Sequence, residues 1–266
     1  MDKEAPLAEK SIQCPHCGFE QAEGEIECLK CGIVFAKYSP ERHHPIHETP
    51  VSSPAASSKD EDHSTGLRSF LKDMLFSVQP ETNILLLIGR ILVLLVMLIW
   101  GMKFIFSSVG SNYSGNSFMH LVNLPFHEAG HVIFRIFGQF MMMLGGSLTQ
   151  LLVPFICLVA FLVKTRDTFA ASVSLWWLGQ SLIDLAPYIN DARKLELMLL
   201  GGVTGRDVED FHDWEFILRN LGLLEYDHLL AKTAHLFGAL SIICALIWGR
   251  YILVKQYKDV RVVGDA

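Results

Sequence analysis

Charge is what this sequence has little of. Only 19% of its 266 residues are Asp, Glu, Lys or Arg, against about 25% in ordinary soluble domains. A basic excess is also missing: 22 Lys and Arg face 28 Asp and Glu, a formal net charge of −6. That excludes a nucleic-acid binder held by a basic surface, and no nucleic-acid partner is expected. The first 30 residues contain no apolar stretch, so they hold no signal-peptide core, and a cytoplasmic N-terminal head is expected. Cysteine is sparse, six in all, and four of the six fall within residues 14–31. No internal repeat is visible.

The charges present are unevenly placed. Residues 1–82 hold 8 Lys and Arg and 14 Asp and Glu, whereas residues 83–266 hold 14 of each. Mean hydropathy over the whole chain is +0.33. A polar, acidic front and a long apolar back exclude a single soluble globule. They predict an all-α polytopic membrane protein with a small extramembrane head, and membrane lipid as a partner.

Four regions follow from composition. Residues 11–38 read as a compact module. Residues 39–66 are rich in Ser, Pro, His and charge, and cannot bury a core, which predicts a flexible linker. Residues 67–82 begin with Leu67, Phe70, Leu71, Met74 and Leu75 on one helical face, the pattern of an interfacial amphipathic helix. Residues 83–262 form the membrane domain. A spanning helix needs roughly 20 predominantly apolar residues. Segments 84–106, 118–137, 140–163, 169–189 and 231–254 meet that, so about five transmembrane helices are expected. The basic tail (Lys255, Lys258, Arg261) and the turn Lys164-Thr165-Arg166 favour the cytosolic side. Five plain crossings would place the tail opposite the head.

Two groups of residues carry metal chemistry. The first is Cys14-Pro15-His16-Cys17 and Cys28-Leu29-Lys30-Cys31, two CxxC pairs ten residues apart. Each pair aims two sulfurs at one point, and two pairs complete a tetrahedron suited to Zn²⁺. Gly18 and Gly32 follow the second cysteine of each pair, where a knuckle calls for positive φ. A structural zinc ribbon is predicted, with the ion supplying folding energy that so short a segment lacks. Glu20, Glu23, Glu25 and Glu27 lie between the pairs, so a regulatory protein rather than nucleic acid is the expected partner of this head. His43, His44 and His47 read as solvated linker residues.

The second group is His127-Glu128-Ala129-Gly130-His131, the HExxH pattern, within an apolar stretch. On a helix, positions i and i+4 share a face, so both imidazoles reach one ion and Glu128 stands beside it as a general base. Ionisable residues in a membrane segment are costly and functional by default. Pro125, just upstream, is placed to open the helix. A third ligand is needed, and the downstream candidates are Asp184, Asp191, Asp207, Asp210, His212 and Asp213.

HExxH within a membrane span resembles the site-2 protease family of intramembrane zinc metalloproteases. That resemblance implies a core of three transmembrane helices. It also implies a Gly-Pro-x-x-Asn-like motif in the second helix and an Asn-Leu-Leu-Pro…Leu-Asp-Gly stretch near the third, whose Asp is a zinc ligand. Here Gly146 matches the glycine, Ser147 stands for the Pro and Gln150 for the Asn. Ser181-Leu182-Ile183 stands where Asn-Leu-Leu would be, Pro187 matches a Pro, and Ala192 replaces the Gly.

Asp191 falls where the ligand Asp is expected. It is the first choice as third ligand, with a helix cap as its plainer role. His212 is the alternative ligand. Asp184, third in order, needs a partner, for which Arg90 and Arg135 are candidates. Gly145-Gly146 suits close helix packing. Gly146 and Gln150 equally suit substrate binding, with Gln150 hydrogen-bonding a substrate backbone or developing oxyanion.

The function implied is hydrolysis of peptide bonds in or near transmembrane segments of membrane-protein substrates; the compact architecture suggests a bacterial inner membrane. One catalytic and one structural Zn²⁺ would serve it. The alternative is a non-proteolytic membrane scaffold with a zinc-ribbon interaction module.

Overall fold

The computed structural model describes residues 11–17, 19–22, 25–35, 63–78, 83–208 and 211–264. The chain divides into two units, Met1–Asp60 and Glu61–Ala266. The first carries a short antiparallel hairpin, β1 (Ser11–Gln13) and β2 (Glu20–Ala22), in the register Ile12 opposite Gln21. A single bridge, Glu27 with Val34, closes the segment around the second cysteine pair.

The second unit is helical: α1 (His63–Phe76), α2 (Ile84–Phe106), α3 (Phe118–Phe134), α4 (Gln139–Ala160), α5 (Thr168–Asn190), α6 (Asp213–Asn220) and α7 (Asp227–Gly264). The expected linker at 39–66 mostly lies outside the described residues. Residues 63–66 already belong to α1, which starts before the predicted amphipathic segment and ends at Phe76.

Polar residues set the helix ends. Asn83 caps α2, its side chain accepting from the Leu85 N–H, and Ser117 caps α3. Asp167 caps α5 through the Ala170 N–H and also takes a hydrogen bond from Arg90 at 2.8 Å. That ion pair gives Arg90, within an apolar helix, the partner it needs.

Among the described residues, three helices are long and apolar enough to cross a membrane: α2, α4 with its following π-helical turn to Thr165, and residues 224–258, mostly α7. Two of the five expected spans, α3 and α5, are not among them. α3 has 17 residues, about 26 Å at 1.5 Å per residue, and carries the HExxH polar cluster. α5 has 23 residues but buries Ser172, Ser174, Gln180, Ser181 and Asp184, so its polar side is turned inward. Pro125 does not open α3, which runs through it unbroken.

α5 lies at the centre. Trp176, Ile183, Phe104, Ile242 and Ala245 form its main packing cluster with α2 and α7. The Trp176 indole N–H donates to the Met97 carbonyl at 3.0 Å. Leu85, Leu92, Val96 and Ile99 of α2 are exposed. Monomeric soluble proteins rarely show apolar patches of that extent, and a lipid-facing helix does. Between α3 and α4 the backbones nearly touch: a Cβ on Gly145 would stand 2.7 Å from the Gly130 carbonyl oxygen. The small pair expected to allow close packing does so through Gly145, opposite the HExxH glycine.

Candidate metal centres

In the first unit the two cysteine pairs face one another. Cys14 Sγ lies 3.7 Å from Cys31 Sγ, and Cys17 Sγ lies 3.7 Å from Cys28 Sγ. Each second pair member is reached by a tight turn. The Cys28 N–H donates to Ile33 O, the Gly32 N–H donates to Cys28 O, and Gly32 has φ +70°. Gly18 lies outside the described residues. Gln21 joins the two halves, donating to Glu27 O and accepting from the Leu29 N–H.

Desolvation pushes the Cys28 thiol up, but backbone N–H groups of Cys31 and Lys30 outweigh it and bring it down to about 6. The Ile33 N–H favours the Cys31 thiolate, yet desolvation and the neighbouring sulfurs push that thiol up to about 12. The sulfurs of Cys14, Cys17, Cys28 and Cys31 all lie within 4.8 Å of one another, a group that can hold a metal ion.

In the helical unit α3 presents His127 and His131 on one side, their rings 4.9 Å apart. The third member of this group is Asp213. Its Oδ2 lies 3.0 Å from His127 Nε2 and 3.3 Å from His131 Nε2. Burial pushes the Asp213 carboxyl up, but hydrogen bonds from the two imidazoles outweigh it and hold it below its ordinary value. Asp213 is the first residue of α6, and that helix is fastened to α4. Trp214 Nε1 donates to Ser147 Oγ at 3.1 Å, and Phe216 and Ile217 pack on Met143. The Asp213 N–H donates to the Tyr188 hydroxyl at 2.9 Å, which ties the same residue to α5.

The structure does not bring Asp191 to the histidines. Its carboxylate accepts from the N–H groups of Glu196 and Leu197, at 3.1 and 2.9 Å, and so holds the loop that follows α5. Burial pushes this carboxyl up, but the nearby His212 imidazole and those two N–H groups outweigh it and hold it low. His212, the alternative, is taken up as the cap of α6: its Nδ1 accepts from the Glu215 N–H, and its Nε2 faces Asp191 Oδ2 at 3.6 Å. Asp207 serves a local turn, accepting from Thr204. Asp210 lies outside the described residues. Asp184 is paired with neither Arg90 nor Arg135; it accepts from His120, Asn123 and Gln150.

Gly146 and Gln150 both stand against the histidines. A Cβ on Gly146 would lie 2.6 Å from the Nε2 atoms of both His127 and His131. Gln150 Oε1 lies 3.0 Å from His127 Nδ1, and the Met142 carbonyl oxygen lies 2.8 Å from His131 Nδ1. Both residues meet the two histidines directly. A cavity of about 490 Å³ opens onto the group, lined among others by His120, Glu128, His131, Tyr188, Asp213 and Leu199. Tyr188 was not anticipated as part of the site.

No protein-family model matches this chain, and no match is found among curated proteins or solved structures.

Proposed function

We propose that this chain is an intramembrane zinc metalloprotease of the site-2 type, cleaving peptide bonds in or near transmembrane segments of other membrane proteins. One observation carries the reading. The Nε2 atoms of His127 and His131 and a carboxylate oxygen of Asp213 lie within 4.8 Å of one another, on a cavity that Glu128 also lines.

The donor set fits zinc. Two imidazoles and one carboxylate are the ligands of catalytic sites that keep a fourth position open. The missing side chain at Gly146 leaves both Nε2 atoms uncovered where any Cβ would crowd them. When bound there, zinc acts as a Lewis acid that polarises a carbonyl and makes water acidic near neutral pH. The chain's own residues do the rest. His127, His131 and Asp213 hold the ion. Glu128 takes the proton from the attacking water and passes it to the leaving amine, so the peptide bond breaks with one water consumed. The cavity receives an unwound stretch of substrate, because a helical peptide bond is shielded by its neighbours.

The finer membrane reading belongs here too. Five crossings would be α2, α3, α4, α5 and α7, the two polar ones shielded by the three apolar ones, in a bacterial inner membrane. The four cysteines would form a zinc ribbon on the cytoplasmic side and recruit a regulatory protein.

The test is Glu128→Gln in the purified full chain. Cleavage of a reporter transmembrane substrate should fall by about 10²–10⁴-fold, with two zinc ions per chain retained. Unchanged cleavage removes the mechanism. A single zinc, lost when residues 1–66 are deleted, would make the chain a scaffold instead.

A further inference from the structure

Behind the histidine site lies a set of hydrogen bonds that can each run in only one direction. The Trp177 indole N–H is a donor only, and it gives to Asn123 Oδ1 at 2.8 Å. The Ser181 hydroxyl gives to the same oxygen. The Asn123 amide N–H₂ therefore points the other way, to Gln180 Oε1 at 2.9 Å and Asp184 Oδ2 at 3.0 Å. Asp184 is buried, and a carboxylate only accepts. It also takes Gln150 Nε2 at 3.1 Å, and His120 Nδ1 at 3.1 and 3.2 Å on its two oxygens.

Gln150 is thereby oriented. Its amide nitrogen faces Asp184, so its carbonyl oxygen faces His127 Nδ1. A carbonyl only accepts, so Nδ1 carries the hydrogen. His127 Nε2 stands 3.0 Å from Asp213 Oδ2 and donates to it; an ion that displaces that hydrogen meets a neutral imidazole whose remaining hydrogen is held on Nδ1 and whose Nε2 lone pair joins the group formed with His131 and Asp213. His131 reaches the same state more simply, through the Met142 backbone carbonyl. A backbone carbonyl cannot turn over; a glutamine side chain can, unless something fixes it.

We propose that Asp184, acting through Gln150, is the positioning residue that presets His127 as an Nε2 metal ligand. This rests on the metal-site reading above and gives a role to a buried acid that no step of the mechanism uses. An amide in place of the Asp184 carboxylate can offer an N–H to Gln150, which frees Gln150 to turn its own N–H₂ toward His127. Nε2 would then carry the hydrogen and lose its lone pair.

The probe is Co²⁺, titrated into the full-length chain in detergent. The cysteine site is read by its thiolate charge-transfer absorption, the histidine site by its d–d bands. The wild type should bind two ions. Asp184→Asn should weaken the histidine site by roughly 10–100-fold, the range for lost outer-shell partners of a metal ligand, and leave the cysteine site unchanged. Gln150→Leu, which leaves Asp184 its other two donors, should do the same. The double variant Asp184→Asn, Gln150→Glu moves the carboxylate next to His127, where it accepts from Nδ1 and from the new amide. It should recover most of the affinity.

Circular dichroism identifies the variants that keep the fold. If Asp184→Asn does not fold, Gln150→Leu decides alone, and wild-type affinity in it overturns the inference. Wild-type affinity in both single variants overturns it as well. So does a folded double variant that binds no better than Asp184→Asn, since that assigns Asp184 to folding alone. A wild type that binds only the cysteine-site ion overturns the metal reading itself, and this inference with it.

Discussion

A side chain on Gly146 would put its first carbon 2.6 Å from the Nε2 atom of His127. Real Cβ atoms essentially never come so close, so the Nε2 edges of two imidazoles leave this position room for glycine alone. Gly146→Ala must push His127 and His131 aside or bend α4, an overpacking cost of about 1–3 kcal/mol. The expected outcome is loss of the ion at the histidine site, with the fold largely kept. Metal analysis beside a thermal melt checks this; a variant that keeps both ions refutes it.

The proposed third ligand separates sharply by mutation. Asp213→Ala removes the carboxylate that meets both histidines, and on the proposed reading should empty the histidine site and stop cleavage. Asp191→Ala loosens a loop and should leave the ion in place, with cleavage reduced through the cavity wall that Leu197–Leu200 provide. Zinc content of the two purified variants decides the matter. An empty site in Asp191→Ala with a filled one in Asp213→Ala would reverse the assignment.

The HExxH spacing and the paired CxxC turns were legible because their geometry is local: one helical turn, and one knuckle repeated. Asp213 stood among the downstream candidates but could not be singled out, for two reasons. Helix caps are usually Ser, Thr, Asp or Asn, and here His212 takes that place, which leaves the neighbouring acid free to turn inward. The placement of α6 also depends on Trp214 reaching Ser147, a contact between residues 67 positions apart.

Asp191 matched a motif by position. The chain instead stays helical through Pro187 to Asn190, and Asp191 is occupied by the N–H groups that follow it. The need of Asp184 for a partner was readable from its apolar surroundings. That its partners are His120, Asn123 and Gln150 was not, because they come from two different helices. The polar inner side of α5 likewise comes from packing rather than from hydropathy, which is why five apolar segments resolve into three long apolar helices and two polar ones.

Acid should release the loop that Asp191 holds. The folded-state value of this carboxyl lies below its ordinary 3.8 because the nearby His212 imidazole and the N–H groups of Leu197 and Glu196 outweigh its burial. A lowered acid adds stability that is fully present above its ordinary value and disappears as the pH falls through the lowered one. Amide exchange at Glu196 and Leu197 should therefore stay slow from neutral pH down to about pH 4, after allowance for the intrinsic exchange rate. Below that it should lose protection, while Asp191→Asn should lack the protection at every pH. Equal protection in both chains across the range would show that the carboxylate does not hold this loop.

The head should depend on its ion. Its strands are three residues each, and its buried side chains among the described residues are Cys14, Cys28 and Gln21, while Ile26 and Leu29 are exposed. That is too little apolar burial to offset the entropy of ordering the segment, so the four-sulfur site must supply the difference. Lys30 sits inside the second knuckle, between Leu29 and Cys31, and reports on it directly. With metal bound, the turn that runs from the Cys28 carbonyl to the Gly32 N–H keeps this peptide out of the extended form a protease requires. Adding a strong chelator to the full chain should speed tryptic cleavage after Lys30 on the order of tenfold or more, as expected when local opening costs little. Zinc re-addition should reverse it, and Cys28→Ser should cleave at the fast rate with or without zinc. If cleavage at Lys30 is equally slow in the chelated and zinc-loaded chains, the hairpin holds itself and the cysteines have another role.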